Sequence, residues 1–210
     1  MGTIKQGILG AFSGKVGTVV GGSWKGISYM RSMPESVANP RTEKQQKQRS
    51  KFSLVQSFLR PLMPLVRIGY KSMANKRTAY NAATSYILKN AITGTYPAFT
   101  INYPNVLLSH GSLPNVSGTA AKSGNNIVCT WTDNSGEGAA LATDAVYAVA
   151  YNASKNEAAS NTEAVRSDGA ASIAVQAGWA AGNKLEIYLF LTSADESMVS
   201  TSSFLGEITL

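Results

Sequence analysis

The sequence predicts an α+β protein: an N-terminal β-hairpin-and-helix module over residues 1–100, followed by an all-β antiparallel sandwich over 101–210. Three observations carry this. Charge divides near residue 100, with 15 of the 19 Lys and Arg before it against only Glu35 and Glu43, for +13, and a net −6 after it. Apolar spacing is helical between residues 43 and 92, then becomes two-residue beyond 106. Glycine is concentrated at the start, at positions 2, 7, 10, 14, 17, 21, 22 and 26.

In chain order, the runs 15–20 and 23–30 flank Gly21-Gly22, a two-residue linker suited to the positive φ of primed hairpin turns. The glycines also permit close backbone approach around Trp24 and Tyr29. Ala38, Asn39 and Pro40 close this region, and Thr42 with Gln45 reads as a capping box opening a helix over 43–60. One stripe of that helix runs from Lys44, Lys47 and Lys51 to Val55, Phe58 and Leu62, so the helix protrudes at its start and packs at its end. Pro61 and Pro64 break or kink it, leaving a short helix over 65–74. Tyr80, Ala83, Ile87 and Ala91 define a further helix over 77–92 with Thr78 near its start; Gly94 and Pro97 end it, and 96–103 connects the halves.

Half-buried strands follow. Ile127, Cys129 and Trp131 alternate with Val128, Thr130 and Thr132; Tyr147, Val149 and Tyr151 alternate with Val146, Ala148 and Ala150. Leu185, Ile187, Leu189 and Leu191 form a third set, and further strands are expected over 106–113, 163–166, 171–176 and 203–210. Seven short strands between turn clusters argue for a sandwich.

Residues 127–134, 147–151 and 185–191 resemble the strand B tryptophan, strand C tyrosine pair and strand F of a fibronectin type III or immunoglobulin-like domain, which implies an immunoglobulin-like sandwich without implying a function. The stretches 7–20, 24–31, 39–45 and 88–97, extending into 131–136, resemble an uncharacterised Bacteroidota family of unknown function. The shorter pattern of Asn39 to Thr42 before a Gln-rich basic helix is similar to segments of prophage-encoded proteins, which implies a mobile-element or virion setting.

Enzyme templates fail. His110 is the single histidine and has no evident triad partners, and the alternation around Cys129, the single cysteine, points it into a core. One histidine and one cysteine do not make a structural zinc site, no acidic loop has calcium spacing, and no cofactor is expected. The segment 10–16 is one residue short of a phosphate loop and has Val16 where Ser or Thr would hold magnesium. Asp195 and Glu196 read as a solvated loop. No signal peptide, myristoylation pattern or membrane span is legible, so the expectation is a soluble chain made in the cytoplasm whose destination includes an assembled particle.

The chemistry lies in the basic half. Arg41, Lys44, Lys47, Arg49 and Lys51 place five cations within eleven residues, and Lys5, Lys15, Lys25, Arg31, Lys71, Lys76 and Arg77 join them, with Trp24 and Tyr29 interleaved. Three readings stay open. The first is a non-enzymatic structural or assembly subunit, homo-oligomeric or part of a larger particle, docking its basic module on an acidic neighbour head to tail or by strand addition. The second is nucleic-acid binding, whose affinity would fall about a thousand-fold with salt if six cations met phosphates. The third is an adhesive or carbohydrate-binding sandwich.

Overall fold

Alternating small and β-branched residues at the N-terminus form an antiparallel meander, β1 (Thr3–Ile4), β2 (Phe12–Val16), β3 (Val19–Trp24) and β4 (Ile27–Ser32), in the order β1-β2-β3-β4. The turns are not where the glycine pair predicts. They fall at Gly17-Thr18 and Lys25-Gly26, where Gly17 (φ 56°), Lys25 (48°) and Gly26 (82°) supply the positive φ that tight hairpins require. Gly21 and Gly22 lie inside β3, for a steric reason. A Cβ on Gly21 would stand 2.3 Å from the Phe12 carbonyl oxygen and 2.6 Å from its ring, and one on Gly22 would stand 3.1 Å from the Tyr29 ring. The computed structural model describes residues 2–4, 10–36, 39, 41–75 and 77–210; Lys5, Lys76 and the Ala38 and Pro40 boundary positions lie outside the described residues.

The meander belongs to one compact unit, Met1–Thr42, and the rest of the chain to another, Glu43–Leu210. The second unit opens with α1 (Glu43–Gly69), 27 residues that continue without interruption through Pro61 and Pro64. The prolines remove the bonds that would reach the Ser57 and Arg60 carbonyls, but both residues are on the exposed side of the helix, open to solvent. On the opposite side Leu59, Leu62 and Val66 are completely buried, and that burial outweighs the local penalty. The expected break and separate helix over 65–74 are therefore absent, and only a 3-10 turn, Lys71–Met73, follows. The capping box is incomplete as well, since Gln45 Oε1 makes no hydrogen bond. The cationic-to-apolar stripe is present: Lys44 is exposed, Lys47 and Lys51 half-buried, and Val55, Phe58 and Leu62 buried. Helix α2 (Ala79–Asn90) is capped by Thr78, whose hydroxyl accepts from the Asn81 N–H at 3.1 Å.

A two-stranded ladder, β5 (Ile92–Thr95) with β6 (Ala98–Ile101), occupies part of the expected connection. The remaining strands form two sheets. One has the order β11 (Ala170–Ala174), β8 (Asn126–Trp131), β7 (Gly118–Ser123); the other has β10 (Glu157–Asn161), β9 (Ala145–Asn152), β12 (Lys184–Thr192), β13 (Ser203–Thr209), and every strand pair described is antiparallel. Ile127, Cys129, Trp131 and Ile173 meet Val146, Ala148, Leu185, Ile187 and Leu189 in the core between them. The other face of β9 and β12, with Tyr147, Val149, Tyr151, Tyr188 and Phe190, shares a second core with α1 and α2. Strands β9 and β12 are thus buried on both faces rather than one.

Two expected strands do not form. Residues 106–113 are held irregularly: the Leu108 N–H donates to Ser202 Oγ (2.9 Å), His110 N–H to the Gly69 carbonyl (3.0 Å) and Leu113 N–H to the Val199 carbonyl (3.0 Å), so their bonds go to a helix end and a loop. Residues 163–166 run into a 3-10 turn at Arg166–Asp168, and β7 and β10 take the two places in the sheets. The compositional boundary at residue 100 falls inside the second compact unit, because the basic helices share a core with the sheet.

Candidate interaction surface

Residues opposite one another in an antiparallel ladder share a face, so the register of the first unit assigns its surfaces directly. Val20 lies between Lys15 on β2 and Arg31 on β4; two residues along, Gly22 faces Tyr29; two further, Trp24 faces Ile27. One face therefore carries Lys15, Arg31, Tyr29, Trp24 and Ile27, with Lys25 in the adjoining turn. The opposite face carries Phe12, Val16, Val19 and Met30 around Gly14 and Gly21. Exposure is high on both: Trp24 53%, Tyr29 49%, Val16 51%, Ile27 70% and Met30 71%. Among the described residues of this unit, no apolar side chain larger than glycine is buried.

The predicted cations are divided between the two units. Lys15, Lys25, Arg31 and Arg41 belong to the first unit; Lys44, Lys47, Arg49, Lys51 and Arg77 belong to the second, and Lys76 is outside the described residues. On α1, Lys47 is paired with Glu43 at 2.6 Å, and this hydrogen bond and charge hold the Glu43 carboxyl below its usual range. The Lys51 ammonium sits 4.9 Å from the Phe99 ring centroid, within cation–π range. Arg77 Nε donates to the Met73 carbonyl at 3.4 Å, and Lys71 pairs with Glu196 at 3.1 Å.

A cleft of about 350 Å³ in the second unit is bordered by Leu54, Phe58, Phe99, Tyr103, Tyr151 and Asn156. Phe58 and Tyr151 contact edge to face at 4.7 Å and are 1% and 4% exposed, so the cleft offers the margin of a packed core more than open ring faces.

Sequence reasoning missed the polar centre of the second unit. Arg166 is fully buried and donates through Nε (3.1 Å) and Nη2 (2.9 Å) to Asp144 Oδ2, through Nη2 to the Pro114 carbonyl (2.9 Å) and through Nη1 to Asn134 Oδ1. Its own carbonyl accepts from the Trp131 indole at 2.8 Å. No periodicity links residues 22 apart, so nothing in the sequence flags this pair. Glu186 is also buried, opposite Glu207 on β13; burial first and the neighbouring carboxylate second push its carboxyl up to about 7. His110 is exposed, and Cys129 is buried, which raises its thiol to about 11. Asp195 lies in an exposed loop, accepting from Ser193 Oγ and from the Ser197 N–H and hydroxyl, which hold it down at about 2. Among the described residues, no group of three His, Cys, Asp or Glu is placed to hold a metal, and no helix is long and apolar enough to cross a membrane.

The profile of a family of unknown function, DUF6266, matches residues 11–206. The chain belongs to the DUF6266 family. The DUF6266 match begins just before β2 and ends in β13, so it takes in β2, β3 and β4 of the meander as well as the two-sheet core. No curated protein and no solved structure matches the chain.

Proposed function

We propose that this DUF6266 protein is a non-enzymatic structural or assembly subunit, whose basic N-terminal unit docks on other subunits, including copies of itself. One observation carries the reading: the first unit presents a meander with an apolar face, Phe12 and Val19 half-buried and Val16 and Met30 exposed, and among the described residues none of these side chains is fully buried. Small sheets of this kind gain stability only when a face is covered, and an exposed apolar surface flanked by charge is the usual mark of a protein contact. Five Lys and Arg against Glu35 in residues 1–42, and net −6 in residues 101–210, give two copies opposite surfaces to bring together head to tail. The non-enzymatic part rests on a buried Cys129 and an exposed His110 without an acidic partner.

The finer architecture is part of the proposal. The strand orders β11-β8-β7 and β10-β9-β12-β13 correspond to E-B-A and C′-C-F-G of a fibronectin type III-like sandwich, with Trp131 on B and Tyr147 and Tyr151 on C. A virion or particle setting, suggested by the pattern at Asn39 to Thr42, belongs to the same reading; capsid or tail genes beside the coding gene would support it.

Light scattering after size exclusion at 50 mM and 500 mM salt tests the assembly. The expected result is a multimer at low salt that dissociates at high salt, and that Met30→Asp and Val16→Asp reduce to monomer. A monomer at every concentration would end the proposal.

A further inference from the structure

The face of the meander opposite the apolar one has a different chemistry, and we infer that it binds single-stranded nucleic acid. This goes beyond the assembly reading; it shares Lys15 and Arg31 with that reading's cations but uses none of its apolar residues, Phe12, Val16, Val19 and Met30. Lys15 and Arg31 flank Val20 across three strands, about 10 Å apart at the ordinary strand spacing, and both are exposed. About 7 Å along the strands lies Tyr29, and about 7 Å further lies Trp24. The Tyr29 ring is laid against the backbone of Gly22, where any Cβ would meet it at 3.1 Å, yet the residue keeps 49% of its surface open. Glycine at this position leaves room for the aromatic ring to lie close along the sheet face. A row of cations beside two exposed rings answers the two recurrent features of a single strand, a charged backbone and unstacked bases, and every base has a π face to offer. A duplex hides its bases and would engage only the cations. An acidic protein offers charge without a regular row of unstacked π faces along it.

The protein carries its own reporter. Trp131 and Trp179 are each 7% exposed, whereas Trp24 is 53% exposed, so quenching of intrinsic fluorescence reads contact at Trp24. The full-length protein is titrated with a thymidine 12-mer, the corresponding duplex and poly-glutamate, with light scattering on the same samples. Quenching by the single strand is expected, with affinity falling about sevenfold between 50 and 200 mM salt if two phosphates are neutralised. Lys15→Gln with Arg31→Gln flattens that dependence. Tyr29→Ala weakens binding about tenfold and leaves the salt slope unchanged, while Tyr29→Phe keeps the affinity and so separates loss of the ring from loss of fold. Equal quenching by duplex or by poly-glutamate, or full affinity in Tyr29→Ala, overturns the inference. Met30→Asp, which targets the other face, keeps the quenching, so failure of the assembly reading and failure of this one are told apart.

Discussion

Strands β4 and β12 show how differently one alternating pattern can be used. In β4 every residue from Ile27 to Ser32 is exposed, although three are large and apolar; in β12 every residue after Lys184 is buried, Glu186 included. The first lies at the edge of a meander in which, among the described residues, no apolar side chain is buried, and the second at the centre of a layer covered by helices on one side and a sheet on the other. The second unit contains its stabilising contacts within itself, and the first presents its apolar and charged groups outward.

That contrast can be broken most severely at Arg166. Arg166→Met strands the Asp144 carboxylate in the interior and should cost about 3–5 kcal/mol in urea unfolding; Arg31→Met, on the exposed meander, should change the same measurement by less than about 0.5 kcal/mol. A large effect at Arg31 would show that the two units are one cooperative structure. Leu62→Ala, which empties a fully buried site between the helices and the sheet, should cost about 2–4 kcal/mol, against a few tenths for Val16→Ala in a dilute monomer.

Glu186 sharpens the comparison through pH. Its carboxyl is raised in the fold from 4.5 to about 7, so the folded state holds a proton that the unfolded chain releases. The associated stability is fully present below pH 4.5 and is lost as pH rises through 7. Denaturation midpoints measured from pH 4.5 to 8 should show this loss, roughly 2 kcal/mol once the shift is discounted for solvent screening, and Glu186→Gln should remove it. A pH slope that survives in Glu186→Gln assigns the titration elsewhere. The smallest effect is expected at the β3–β4 turn. Lys25 has φ 48°, which asparagine adopts more readily, and Lys25→Asn should raise amide-exchange protection of that turn by at most about 1 kcal/mol while leaving β9 and β12 unaltered.

Much of this was readable in advance, and the gaps have particular causes. The cation-to-apolar stripe of α1, the cap at Thr78, and β8, β9, β11, β12 and β13 follow from periodicity and local chemistry. Pro61 and Pro64 misled because the cost of a proline is local while its compensation, burial of Leu59, Leu62 and Val66, is not. Gly21-Gly22 misled because glycine serves both turns and close contact, and only the position of Phe12 and Tyr29 distinguishes the uses. The basic residues were legible as a set, but their division between two units was not, since charge says nothing about which backbone carries it into which core.

The sequence by itself determined where helices give way to strands in the second half and which residues are cationic. Tertiary structure decided that β9 and β12 are covered on both faces, that Arg166 finds Asp144, and which residues of the meander share a face. The physical reason is range: periodicity and capping act within a few residues, whereas burial and the pairing of buried charge depend on whatever distant segment completes the surroundings.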